Sequence, residues 1–196
     1  MKWIGLTGGI ATGKSTVSEM LRRQSYEVVD ADAEARLVVG PGTEGLSKLV
    51  QEFGKQILNS DQTLDRAQLA QIVFKNPAAK NKLEEITHPL IQNEVAKKKK
   101  LLEMQGAAMA FYDVPLLFEK KLQSQFDAVV LVYCPRSLQI ERMKKRNAWS
   151  ENEILLRLDS QIDIEVKKGM ADFVIDNSKD LVFLQQEVMR TLTGLR

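Results

Sequence analysis

Residues 8–16, Gly8-Gly9-Ile10-Ala11-Thr12-Gly13-Lys14-Ser15-Thr16, restrict what this chain can fold into more than any other stretch. From Gly8 to Ser15 the run fits G-x-x-x-x-G-K-[ST], the pattern of a phosphate-binding loop (P-loop). Such a loop needs a buried strand before it and a helix after it. Trp3-Ile4-Gly5-Leu6-Thr7 has the composition of the strand, and Thr16 to Arg23 places Val17, Met20 and Leu21 on one helical face. The glycines let backbone N–H groups turn inward around phosphate oxygens, at a helix N-terminus whose dipole favours anions. The pattern therefore assigns Gly8, Gly9, Ala11, Thr12, Gly13, Lys14, Ser15 and Thr16 to a nucleotide such as ATP. Lys14 is expected to reach the β- and γ-phosphates, and the Ser15 hydroxyl to bind Mg²⁺. Sitting in a solvent-facing loop, Lys14 should contribute charge rather than packing.

Downstream, strand and helix signals alternate, which argues a parallel, doubly wound α/β sheet of five strands. Val28-Val29 form a second strand ending in Asp30-Ala31-Asp32, and acids at that edge are where ligands of open α/β sheets bind. Ala108 to Val114 is a third strand, Ala128 to Tyr133 a near-continuously apolar and hence central fourth, and Phe173-Val174-Ile175 a fifth. From Ala33 to Gln105 only helical spacing is visible. Leu46, Leu49, Val50 and Phe53 mark one helix, and Leu69, Ile72 and Val73 another. Asn76-Pro77 ends that helix and can cap the next, which His88-Pro89 is expected to interrupt. Between the fourth and fifth strands, helices are expected over Ser137 to Asn147 and over Ser150 to about Lys168. The second opens with the capping box Ser150-Glu151-Asn152-Glu153. Asp180 to Leu192 closes the chain as a helix.

Phosphoryl transfer needs a phosphate cradle, a metal, cations on the transferring group and a positioned acceptor. Asp113, ending an apolar strand, is placed to help hold Mg²⁺ through water. Asp30 and Asp32 compete for the role of acceptor-side base, and the spacing leaves the choice open. Arg136, Arg142, Arg146 and Arg157 enrich one segment; Arg142 and Arg146 lie one helical turn apart, so both could close over a triphosphate. The run Lys97 to Lys100 reads as a solvated helix end, and Cys134, the only cysteine, as a small buried hydrophobe. A net charge of +2 gives no global argument for a nucleic-acid partner. No apolar run is long enough to span a bilayer, and Met1-Lys2 leads directly into the first strand rather than a signal peptide. A cytoplasmic monomer is the expectation. A GTP-dependent switch is disfavoured, because the sequence has no Asp-x-x-Gly and Asn177-Ser178-Lys179-Asp180 has the wrong order.

Six stretches together resemble the dephospho-coenzyme A kinases, in order and over essentially the whole chain. They are Ile4 to Ile10; Asp30-Ala31-Asp32 with Ala35-Arg36; Leu64-Asp65-Arg66; His88-Pro89; Asp113 to Glu119; and Ala171 to Ser178. The resemblance implies a three-part P-loop kinase, with a core over 1–32, 106–136 and 169–196. A helical acceptor-binding region would occupy 33–105 and a helical lid 137–168. The implied substrates are ATP and dephospho-coenzyme A; a kinase of nucleoside monophosphates or similar acceptors is the alternative. By the same resemblance Asp32 is the base, and Arg36, His88 and Leu116 join it on the acceptor side. Arg142 and Arg146 would be lid arginines, and Asn177 would lie near the adenine. Ala11 and Gln62 depart from the family, standing where glycine is common.

Overall fold

The computed structural model describes residues 1–146 and 149–196. Along the chain, β1 (Lys2–Gly8) leads into α1 (Lys14–Arg23), β2 (Glu27–Asp30), α2 (Ala31–Leu37), α3 (Glu44–Phe53), α4 (Arg66–Lys75) and α5 (Pro77–Met104). Then come β3 (Met109–Asp113), β4 (Ala128–Tyr133), α6 (Arg136–Arg146), α7 (Glu151–Asp159), α8 (Ile164–Met170), β5 (Phe173–Asp176) and α9 (Leu181–Leu195). Asn147, the last residue of an expected helix, lies outside the described residues. The chain divides into two compact units, one of residues 1–29 and 106–196 and one of residues 30–105.

The first unit contains the expected sheet. Its order among the described residues is β2-β3-β1-β4-β5, and β1 runs parallel to both β3 and β4, as β4 does to β5. β1 and β4 are interior strands and are buried almost throughout, which is why β4 reads as a near-continuous apolar run. Ile4 and Leu6 of β1, Val130 and Val132 of β4 and Ile175 of β5 pack on Val17 and Leu21 of α1 and on Leu184, Val188 and Leu192 of α9. Each such side chain, fully buried, stabilises the fold by roughly 1.5–3 kcal/mol before entropy is charged against it.

The expected single helix from Ser150 to Lys168 is instead two, α7 and α8, separated at residues 160–163. Ser160 ends α7, and Asp163 starts α8 afresh by accepting the Glu165 N–H at 2.8 Å. Short polar side chains hydrogen-bond the local backbone and compete with helix continuation there. The Ser150–Glu153 capping box is present in full. Met143 of α6 and Ile154 and Leu158 of α7 form a small separate cluster, against which Ile10 and Ala11 pack.

The second unit is helical around Val38, Val39, Leu49, Phe53, Ile57 and Leu69. Its helices start on side-chain caps: Thr43 for α3, Asp65 for α4, and Asn76 followed by Pro77 for α5. α5 is not interrupted at His88-Pro89 but runs through it to Met104. Pro89 removes one hydrogen bond, yet Leu83 and Ile86 before it and Leu90 and Ile91 after it all pack on the same cluster. Tertiary packing on both sides outweighs the local break. Within the supposedly solvated lysine run, Lys98 pairs with Glu34, which is 2% exposed, and so fastens α2 to α5.

Candidate active site

β1 ends at Gly8, and the loop that follows turns the chain into α1. Gly13 takes φ 91°, the left-handed conformation that suits glycine, and a Cβ placed there would run into Asn177 Nδ2. The first intrahelical bonds come from Thr16 N and Val17 N, both donating to Gly13 O at 3.0 and 3.2 Å. The amides of Lys14 and Ser15 are thus left at the helix N-terminus, where an anion can take them. We expect Gly13→Ala to lower affinity for ATP at least tenfold in calorimetric titration, because both the left-handed backbone and the Asn177 contact oppose the new methyl. Unchanged affinity would remove the loop from nucleotide binding.

Ala11 also has positive φ, 60°, and so does Gln62, at 64°. Both departures from the family's glycines therefore sit where the backbone is left-handed, which explains the glycine preference at those positions. Each non-glycine residue there costs about 1 kcal/mol, tolerated by the surrounding bonds.

The sheet register brings the next group to the loop. Leu6 of β1 pairs with Asp113, the last residue of β3, so the Asp113 carboxylate projects beside the P-loop. Asp113 is 3% exposed, and its Oδ1 is paired with the Lys14 ammonium. Its Oδ2 accepts the Ser18 hydroxyl at 2.8 Å. Lys14 is therefore more than a solvent-facing charge: it neutralises a buried acid, a partnership that spacing does not reveal. Ser15 is exposed at the first turn of α1. Ser15 and Asp113 together offer a hydroxyl and a carboxylate. Among the described residues no cluster of three or more His, Cys, Asp or Glu could hold a metal unaided. That oxygen set fits Mg²⁺, which keeps waters and is held by one or two carboxylates plus substrate phosphates.

Arg142 and Asn177 brace the loop. Arg142 Nη1 donates to Ala11 O and Thr12 O at 3.2 and 3.4 Å, and Nη2 donates to Asn177 O at 2.8 Å. Asn177, 8% exposed, donates from Nδ2 to Thr12 O at 2.7 Å. The Arg142 guanidinium is engaged by backbone carbonyls, whereas Arg146, one turn on, is exposed at the end of α6. The two arginines thus have different surroundings rather than acting as a matched pair. Elsewhere in the segment, Arg136 pairs with Asp159 at 2.6 Å and Arg157 stacks 4.1 Å over Trp149. Cys134 is fully buried beside the loop, and burial pushes its thiol up to about 11 despite the opposing pull of Arg142.

Leu116, in the segment after β3, is about one-third exposed. In the second unit, Asp30 is the N-cap of α2, its Oδ1 accepting the N–H groups of Asp32 and Ala33 at 2.8 and 3.1 Å. Asp32 and Arg36 are exposed on α2, and His88 is half-buried on α5. Sequence spacing gave no sign of Ser18, Gln139, Gln161, Glu119 or Lys167. A glutamine or serine within a helical pattern reads as surface, and nothing in the pattern distinguishes one turned against a backbone group.

A profile of the dephospho-CoA kinase family matches residues 2–182. The chain is 51% identical over 195 residues to the dephospho-CoA kinase of Bdellovibrio bacteriovorus, covering 100% of this chain and 96% of that protein. The solved dephospho-CoA kinase from Campylobacter jejuni is 31% identical with a TM-score of 0.75, over 98% of this chain and 96% of that one. The crystal structure of TT1252 from Thermus thermophilus is likewise 31% identical, with a TM-score of 0.83 over 100% of this chain and 98% of the other. With its P-loop, its Asp113 partner and near-complete agreement in length, this chain belongs to the dephospho-CoA kinase family.

Proposed function

We propose that this chain transfers the γ-phosphoryl group of ATP to the ribose 3′-hydroxyl of dephospho-coenzyme A, giving ADP and coenzyme A, the last step of that cofactor's synthesis. The observation that carries the reading is the pairing of Lys14 with buried Asp113 at the mouth of an intact P-loop, in a chain of this family. Lys14 exchanges Asp113 for the β- and γ-phosphates when ATP binds, and its charge then stabilises the transferring group. The amides of residues 13–15 cradle the β-phosphate. Ser15 and the nucleotide's own phosphates would hold Mg²⁺, with Asp113 helping through water, and the ion would supply neutralisation of the developing charge.

Asp32 accepts the proton of the 3′-hydroxyl as that oxygen attacks. A transition state of loose character asks the base to orient the hydroxyl and then to take its proton, and a carboxylate can do both. Arg36, His88 and Leu116 border the acceptor, within a binding region over residues 33–105. Residues 137–168 act as a lid: Arg146 meets the phosphates, while Arg142 and Asn177 hold the loop and the adenine side. The protein works as a cytoplasmic monomer.

The test is ADP release by the purified protein against a panel of acceptors that includes dephospho-coenzyme A and the nucleoside monophosphates. Dephospho-coenzyme A should give the highest kcat/KM by at least a hundredfold, with coenzyme A as the product in mass spectrometry. A monophosphate that surpasses it would overturn the acceptor assignment.

A further inference from the structure

Both backbone polar groups of one P-loop residue, Ile10, are held by side chains that the mechanism above leaves without a task. Ile10 N–H donates to Gln161 Oε1 at 3.1 Å, and Gln139 Nε2 donates to Ile10 O at 2.6 Å. A carbonyl can only accept and an amide N–H only donate, so the orientation of each glutamine head group is fixed by its partner. Gln139 is 3% exposed on α6, and a Cβ on Gly9 would lie 2.7 Å from its Nε2. The glycine at position 9 is thus the space in which the Gln139 amide sits. Gln161 lies in the link between α7 and α8, half-buried.

That link is itself anchored. Ile162 N–H, next along the chain, donates to Glu119 Oε1 at 3.1 Å. The same Oε1 lies 2.6 Å from the Nζ of Lys167, which is fully buried on α8. Neither Lys167 Nζ nor Glu119 Oε2 has a hydrogen bond of good geometry among the described residues, so the ion pair is the ammonium's compensation. A buried pair of this kind is a poor source of stability but fixes one arrangement of the segments it joins. It fixes the segment that presents Gln161 to the loop.

We infer that Gln139 and Gln161 are positioning residues for phosphoryl transfer. Together they set the two peptide units that flank Ile10, and with them the curvature that decides which loop amides face the phosphates. The inference rests on the kinase reading above. Because a P-loop acts by pre-aimed amides, a small rotation of the backbone at Ile10 degrades catalysis without unfolding the protein.

The test uses the full chain with Gln139→Met and Gln161→Met, which keep side-chain length and remove the hydrogen bonds, together with the double variant. ATP and dephospho-coenzyme A are varied separately. Each single variant should lower kcat/KM for ATP by about tenfold to a hundredfold. The KM for dephospho-coenzyme A should move less than twofold. The double variant should fall little below the worse single one, because both residues hold the backbone of the same residue, Ile10. Gln161 is only half-buried, so its variant remains informative if Gln139→Met folds poorly. Losses that merely track a lowered Tm, a KM for dephospho-coenzyme A that rises as much as that for ATP, or wild-type kinetics, would overturn the inference. Calorimetric titration of the same variants with an ATP analogue needs no acceptor. If wild-type protein ignores dephospho-coenzyme A yet the variants bind the analogue at least tenfold more weakly, the acceptor assignment fails and the role of the glutamines stands.

Discussion

Lys14→Ala should slow phosphoryl transfer by about a thousandfold and also lower stability, and the second effect is the more informative. The rate loss follows from removing the only P-loop ammonium from a transition state whose charge lies on phosphate oxygens. The stability loss follows from Asp113, 3% exposed, which would be left with the Ser18 hydroxyl on one oxygen and no cation on the other. Breaking a buried pair by removing one partner costs about 3–5 kcal/mol. The Lys14 side chain is 20% exposed, which admits some water and places the value near the low end. Lys14→Ala combined with Asp113→Asn should recover most of the lost stability, since no buried charge is left unpaired. It should not recover the rate. Denaturant unfolding and single-turnover kinetics on both proteins check this; a double variant that regains activity would remove Lys14 from the chemistry.

Asp32→Asn should reduce kcat by about a hundredfold to a thousandfold while ATP affinity changes less than threefold. Asparagine keeps the shape and one acceptor oxygen but cannot take a proton. Asp30 is different in kind. Its carboxylate caps α2 through two backbone N–H groups, and the structure gives that residue a structural task. Asparagine caps a helix about as well as aspartate, so Asp30→Asn should be nearly silent in both rate and Tm. Asp30→Ala removes the cap and should cost about 1 kcal/mol, with a far smaller change in kcat than at Asp32. Single-turnover rates and thermal melts of the three variants decide the matter. If Asp30→Asn is the slower enzyme, the two roles must be exchanged.

Where a physical rule acts locally, the sequence was a sufficient guide. The glycine-lysine-serine run marks an anion site by its own pattern, and Ala128 to Tyr133 announce an interior strand by being almost continuously apolar. Rules that depend on what lies across space were not legible. Pro89 argues for a break, and only the apolar neighbours that Leu83 and Ile91 find elsewhere in the unit reverse it. Ser160 to Asp163 look helical by spacing, yet the side chains of Ser160 and Asp163 turn to nearby backbone. Lys98 looks like one of four solvated lysines until Glu34 is placed beside it. Lys14 and Asp113 could each be assigned to the site, but not to one another, because their contact comes from the Leu6–Asp113 register. The resemblance to a family supplied the acceptor, which no periodicity could.

The same register has a consequence for the order in which the molecule can be made. Of the five strands, β1 is synthesised first, and its two neighbours in the sheet are β3 and β4. Lys2 pairs with Met109 and Ile4 with Ala128, so the strand carrying the P-loop has no strand partner until β3 is synthesised and only one until β4 follows. β2 cannot substitute, because its place in the sheet is against β3. Residues 30–105, by contrast, hold their apolar cluster entirely among themselves and are complete while β1 still waits. An apolar segment kept unpaired for that long is the kind of surface that aggregates or recruits chaperones. The nascent chain thus carries its most functionally committed stretch as its most vulnerable one, and becomes a kinase only when the third and fourth strands arrive to close over the first.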